Sequence, residues 1–444
     1  MNTDLYIAFL HNYLKYSVKN NLYELLEADY IQTIITHLIF DNEFNQPLKK
    51  GDISDKITNL TFGICFNQPL KIDDIPDSVT HLTFGYDFNQ PLKAGDIPNS
   101  VTHLRFGINF NQPLKAHDIP NSVIHLTFGY NFNQSLKADD IPDSVTHLIF
   151  DGDFNQSLKE GDIPNKVTHL SLGVKFNQPL KEGDIPNSVT HLTFNYYSDF
   201  NQPLKAGDIP NRVTHLTFGD SFNQPLKKGD IPNRLTHLTF GDSFNQPLKK
   251  GDIPNRLTHL RFGHSFNQPL KKGDIPNKVT HLEFGYNFNQ QLKEYDIPNS
   301  VTYLTFGHDF NLSLKEGDIP NSVTYLRFGH DFNQELNNNN IPNNLIELII
   351  PKYYMISKVK SNKNILIGYL NYVNYYYMYD KYDIMMSYLE KKEFDDNISN
   401  IDVNKLKGKS IMKELVEKVF HPTRLLNISN QYNIDFIDLI EIYS

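Results

Sequence analysis

A Phe-Asn pair returns every 22 residues through most of this chain, beginning at Phe44, Phe66, Phe88, Phe110, Phe132, Phe154 and Phe176. The segment FNYYSDFNQ carries two extra residues around Tyr196 and Tyr197, so Phe200 follows at a step of 24. The 22-residue step then resumes through Phe222, Phe244, Phe266, Phe288, Phe310 and Phe332, giving fourteen starts. A half unit, ITHLIF, precedes them at Ile35 to Phe40. A period of this length restricts the chain to stacked supersecondary units, each burying a face of its neighbours. The 444 residues therefore need not divide into several globular cores, because a stack lengthens without thickening.

Within the unit that starts at Phe88, the apolar positions are Phe88, Leu92, Ile97, Val101, Leu104 and Phe106. The end of Val101-Thr-His-Leu104-Arg-Phe106 alternates as a strand does. Pro98 cannot sit in a helix interior, and Gly95 and Gly107 supply turn chemistry on either side. No stretch has room for a helix of three turns. Each unit is predicted to be one short strand and a tight extended return, with the six apolar columns forming one continuous core. A parallel β-helix is the rival architecture, and it would place several strands in each unit.

The spacing LxxLxLxxN falls on Val101, Leu104, Phe106 and Asn109, and the Ile-Pro step follows as a return. In this the unit resembles a leucine-rich repeat. It resembles still more closely the FNIP repeat, named for its Phe-Asn and Ile-Pro pairs, over roughly residues 35 to 350. One column departs from the leucine-rich pattern, since Cys65, Lys175 and Ser221 stand where it has Asn. The resemblance implies an α+β repeat solenoid dominated by β. It would be a leucine-rich-repeat-like curved array with a parallel sheet on its concave face, and strands 4.7–4.9 Å apart would give an inner arc on the order of 65 Å. It also implies an asparagine ladder, here Asn45, Asn67 and Asn89 onward, satisfying backbone groups at the turns.

The column before the inward Leu is His: His37, His81, His103, His125, His147, His169, His191, His215, His237, His259 and His281. Asn59 interrupts it, and Tyr303, Tyr325 and Glu347 end it. Side chains there should face out of the concave sheet. One reading is a row of imidazoles for a metal or an acidic partner. The other is a stacked neutral ladder multiplied by duplication, and a flat row offers no converging tetrahedron. Beside it, a mostly Thr column is varied by Arg105, Arg261, Glu283 and Arg327. The next column varies most, with Tyr86, Tyr130, His264, Tyr286, His308 and His330 among its members. Variation on one face suits a binding surface, and it equally suits an unconstrained one. Together these three columns are the candidate concave binding surface.

Lys71, Lys93 and Lys115 face Asp74, Asp96 and Asp118 as opposite-sign ladders on the outer side, where such pairs contribute roughly 0–1 kcal/mol each. A basic sector at Lys227, Lys228, Arg234, Lys249, Lys250, Arg256, Lys271 and Lys272 is broken by Asp230, Asp252 and Asp274. With a formal net charge of −9, this argues against nucleic-acid binding, which wants an unbroken basic face.

Residues 1–34 are predicted to be a helical N-terminal cap, since Leu5, Phe9, Leu10, Tyr13 and Leu14 recur at helical spacing. Asp4 to Leu14 has a faint likeness to the opening helix of an F-box, the helical module that docks a ubiquitin-ligase adaptor, though the Leu-Pro start is missing. Residues 35–354 hold the repeats. Residues 355–444 are predicted to be a small helical domain, with helix-compatible stretches at Asn364 to Leu389, Ser410 to Phe420 and Ile434 to Tyr443. The start of the chain lacks a basic and apolar leader, no apolar run is long enough to span a membrane, and Cys65 is the single cysteine. Asn133-Gln-Ser135 and Asn311-Leu-Ser313 would carry glycans only by breaking the stack. An intracellular compartment, the cytoplasm, is therefore expected. No phosphate loop, dinucleotide fingerprint, nucleophile elbow or zinc motif occurs, so no enzyme activity, catalytic residue, cofactor, metal site or small-molecule substrate is expected. The expected function is a non-catalytic scaffold or adaptor for an unidentified protein partner, with a substrate receptor for ubiquitin ligation as one form of it. A structural or self-associating repeat protein is the alternative.

Overall fold

In the computed structural model, residues 15–18, 36–351, 354, 358–361 and 365–370 are described. They form one seventeen-stranded parallel sheet and a small two-stranded pair of Leu336–Asn337 with Val359–Lys360. Each unit contributes one strand to the large sheet, such as His81–Thr83, His103–Arg105 and His125–Phe128. One strand per unit is the solenoid arrangement and excludes the β-helix. Adjacent strands pair residue for residue one repeat apart, as in His103↔His125 and Leu104↔Leu126. The register holds across the insertion, where His191 pairs with His215. A side-chain period of two makes a one-residue slip turn every Leu outward, which fixes this register.

The return is built from turns. The Asp96 N–H donates to Lys93 O at 3.0 Å, Val101 N–H to Pro98 O at 3.1 Å, and Phe110 N–H to Gly107 O at 3.2 Å. The first turn needs a left-handed residue, and Gly95 supplies it with φ +91°. Gly107 has a different reason, because a Cβ there would lie 1.6 Å from Gly85 O. The six predicted apolar columns are buried along the stack, with Phe88, Val101 and Phe110 fully enclosed.

Equivalent rings measure the step of the array at different depths. His103 and His125 on the open face are 4.3 Å apart, Phe106 and Phe128 beneath the sheet 5.6 Å, and Phe110 and Phe132 deeper still 6.1 Å. Since one operation relates each pair, a step that shortens toward the His face means that the array bends toward it. The His face is the concave one.

Two expectations are corrected. No helix occurs among the described residues. Where helical caps were expected, Lys15–Val18 pairs in parallel with His37–Phe40, and Leu366–Leu370 with Glu347–Pro351. The outermost strand of a sheet presents a row of unpaired backbone groups, and flanking chain satisfies them by adding strands. The remaining residues of the expected caps and of the C-terminal helices lie outside the described residues. The second correction concerns the Lys and Asp columns. Asp96 is buried and its Oδ2 accepts the backbone N–H of Lys93 at 2.8 Å, closing the Lys-x-x-Asp turn. The same bond recurs at Asp74, Asp118 and Asp140. The column caps turns instead of pairing with ammonium groups, and burial raises the Asp96 and Asp118 carboxyls above their usual range.

Candidate functional site: the concave imidazole face

The alternation Thr-His-Leu places His on the open face opposite the buried Leu. Parallel in-register pairing then sets each imidazole over the next. The rings from His81 to His281 stack without interruption, at 4.1 Å for His81–His103 and 4.2 Å for His259–His281. Tyr303 follows at 5.4 Å, and Tyr325 stacks on Tyr303 at 4.2 Å. Asn59 separates His37 from this run.

A Thr immediately before the His fixes the ring in every rung of this run but His125, where Ile124 stands. Thr102 Oγ1 donates to Thr80 O at 3.2 Å and lies 2.9 Å from His103 Nδ1. A hydroxyl has one proton, so both bonds form together when Nδ1 carries hydrogen and Nε2 is left as the acceptor. The same pair of contacts holds His81, His169, His191, His215, His237, His259 and His281. Burial, and then repulsion between neighbouring rings, lowers the pKa of His103, His169 and His191, and brings His237 down to about 4. The face is thus a row of neutral imidazoles near neutral pH.

Of the Thr-column variants, Arg105 is exposed, Arg261 Nε lies 3.8 Å from Glu283 Oε2 on the next strand, and Arg327 is half-buried beside Thr305. The most variable column divides in two. Its first half exposes Ile64, Tyr86, Ile108 and Tyr130, each 37–47% accessible. Its second half is polar and connected. His264 Nδ1 lies 3.1 Å from Asp242 Oδ2, which also accepts from the Tyr196 hydroxyl at 2.9 Å. Tyr286 stacks between His264 at 5.0 Å and His308 at 4.3 Å, and His308 lies 4.8 Å from His330. Burial and the neighbouring Asp242 raise Asp220 to about 6.

The asparagine ladder forms as expected. Asn89 Oδ1 accepts the N–H of Asn111 and the side-chain amide of Gln112, both at 3.0 Å. Sequence reasoning passed over the Gln and the Thr that precedes His. Their recurrence in FNQ and VTHL was the available signal.

The sequence pattern described as FNIP Repeat matches at residues 44–87, 66–109, 88–131, 110–153, 132–175, 154–197, 200–243, 222–265, 266–309 and 310–353. The chain belongs to the FNIP repeat family. Each match spans two of the 22-residue units of this FNIP protein. Among solved structures, it is similar to CroV588, described as a novel circular leucine-rich-repeat protein. The two share 36% identity with a TM-score of 0.59 over 79% of this chain and 61% of that one. The FNIP chain thus spans less than two thirds of that relative. It also shares its fold with TLR13 in a TLR13-ssRNA13 complex, at 10% identity and a TM-score of 0.51 over 77% of this chain and 58% of that one. No curated protein sequence matches it. Among the described residues, no helix is long and apolar enough to cross a membrane.

Proposed function

We propose that this FNIP protein is a non-catalytic scaffold that binds another protein along its concave face. The observation that supports this most is the uninterrupted stack of imidazoles from His81 to His281 flanked by the exposed Ile64, Tyr86, Ile108 and Tyr130. The stack holds its acceptor nitrogens in fixed rows, so little side-chain entropy remains to be lost on docking. Exposed Tyr supplies contact area that is both apolar and hydrogen-bonding. Solenoids commonly bind through surfaces of this kind.

An adaptor form of the same reading, serving ubiquitin ligation, rests on the likeness of residues 4–14 to an F-box helix. Domain limits at 1–34, 35–354 and 355–444 belong to that form, with the repeats as the capturing part. Affinity capture with the full chain tests the scaffold reading. One variant carries Tyr86→Ala, Arg105→Glu, His125→Asn and Tyr130→Ala, and another carries Lys71→Glu, Lys93→Glu and Lys115→Glu on the far side. A protein retained by the wild type and the lysine variant, and lost from the concave-face variant, is expected. Equal retention by all three, or self-association alone, overturns the reading. Recovery of a ligase adaptor only when residues 4–14 are intact would support the adaptor form.

A further inference from the structure

The main His column offers a line of parallel rings and no convergence. The variable column is different at its C-terminal end, because there a carboxylate stands one residue beyond each imidazole. Consecutive units end in Gly-His-Asp-Phe, giving His308 with Asp309 and His330 with Asp331. Both histidines follow the ends of neighbouring paired strands, Tyr303–Thr305 and Tyr325–Arg327. The Asp331 carboxylate spans the two rings, with Oδ1 2.9 Å from His330 Nδ1 and Oδ2 3.7 Å from His308 Nδ1. Asp309 Oδ1 approaches the same His308 nitrogen at 2.9 Å. His308, His330 and Asp331 can each offer one ligand atom such that all three lie within 4.8 Å of one another.

We infer that His308, His330 and Asp331 form a binding site for a borderline divalent metal ion of the zinc type. Two imidazoles and one carboxylate suit Zn²⁺ and its first-row neighbours, whereas Ca²⁺ and Mg²⁺ require mostly oxygen donors. Metal–ligand distances of about 2.0–2.1 Å place tetrahedral ligand atoms about 3.3 Å apart. Asp331 reaches the two rings through different oxygens, at 2.9 and 3.7 Å, and the three ligand atoms lie within 4.8 Å of one another, so the set closes on an ion by a tilt of the rings and a shift of up to about 1.5 Å in the widest pair. The ion takes the place of the hydrogen bond between the Asp331 carboxylate and the His330 ring, and the imidazoles ligate as neutral rings with hydrogen on the other nitrogen. Asp309 adds negative charge beside it, and the remaining coordination positions fall to water at the rim of the concave face.

The experiment uses full-length protein dialysed against a chelator. Zn²⁺ binding is measured by calorimetry, and Co²⁺ binding by its visible absorption, for the wild type, His308→Ala, His330→Ala, Asp331→Asn and a ladder control, His103→Asn. One saturable site per chain is expected in the wild type and the control. Affinity should fall at least about tenfold in the three site variants. Asp331→Asn keeps the side-chain shape at an exposed position, so its loss cannot be assigned to unfolding. No saturable site in the wild type, unchanged affinity in the site variants, or an equal loss in His103→Asn overturns the proposal.

Discussion

Protonating the histidine ladder should destabilise the fold, and His237 allows the effect to be measured on one rung. Its folded pKa is lowered from 6.5 to about 4, first by burial and then by His259 and His215. Between those values the unfolded chain binds a proton that the folded chain refuses. The stabilising contribution is complete above 6.5 and is lost as pH falls toward about 4. The full shift corresponds to about 3 kcal/mol, of which about 2 kcal/mol would be lost by about pH 5. The ring is half-exposed, and solvent screening reduces the expected loss to under about 1 kcal/mol. The other nine imidazoles from His81 to His281 shift in the same direction. Asp220 acts oppositely: raised from 3.8 to about 6, its contribution is present at low pH and lost as pH rises through about 6. Comparing wild type with His237→Asn cancels that term. Asn59 already occupies this column and accepts from Thr58 Oγ1 at 2.9 Å, so the substitution fits. Urea denaturation of both proteins at about pH 7 and about pH 5 is the assay. The wild type should lose more stability than the variant by about 0.5–1 kcal/mol. Equal losses would refute the argument that the ladder excludes protons.

Asn155→Ala should cost about 1–3 kcal/mol, because Asn155 Oδ1 accepts from the Asn177 N–H at 2.9 Å and from the Gln178 amide at 3.0 Å; the Asn177 amide should lose protection in hydrogen exchange. His117 stands at φ +73° where most units have Gly, so His117→Gly should stabilise by about 1 kcal/mol in urea denaturation. Gly129→Ala should destabilise by about 1–3 kcal/mol, since its Cβ would lie 1.8 Å from Gly107 O; an unchanged denaturation midpoint would contradict this close approach.

The sequence by itself determined the repeat, the one strand per unit, the six buried columns and the outward His column. In a stack, residues one period apart are forced to be neighbours, so Leu104 over Leu126 and Asn89 beside Asn111 could be read from spacing. Contacts between different columns are not fixed by the period. Only the tertiary structure turned Asp96 inward to cap its own turn, and it set Thr102 against both Thr80 O and the His103 ring. The change of ring spacing from His103 to Phe110, which shows the direction of bending, is likewise a property of depth in the stack. The same holds at the last units. The repeated Gly-His-Asp-Phe was legible as letters, but the turn after each strand decided that one carboxylate would meet two imidazoles. Lys15–Val18 and Leu366–Leu370 fall in segments expected to be helical, and they are strands because an open sheet edge offers backbone partners that no local pattern records.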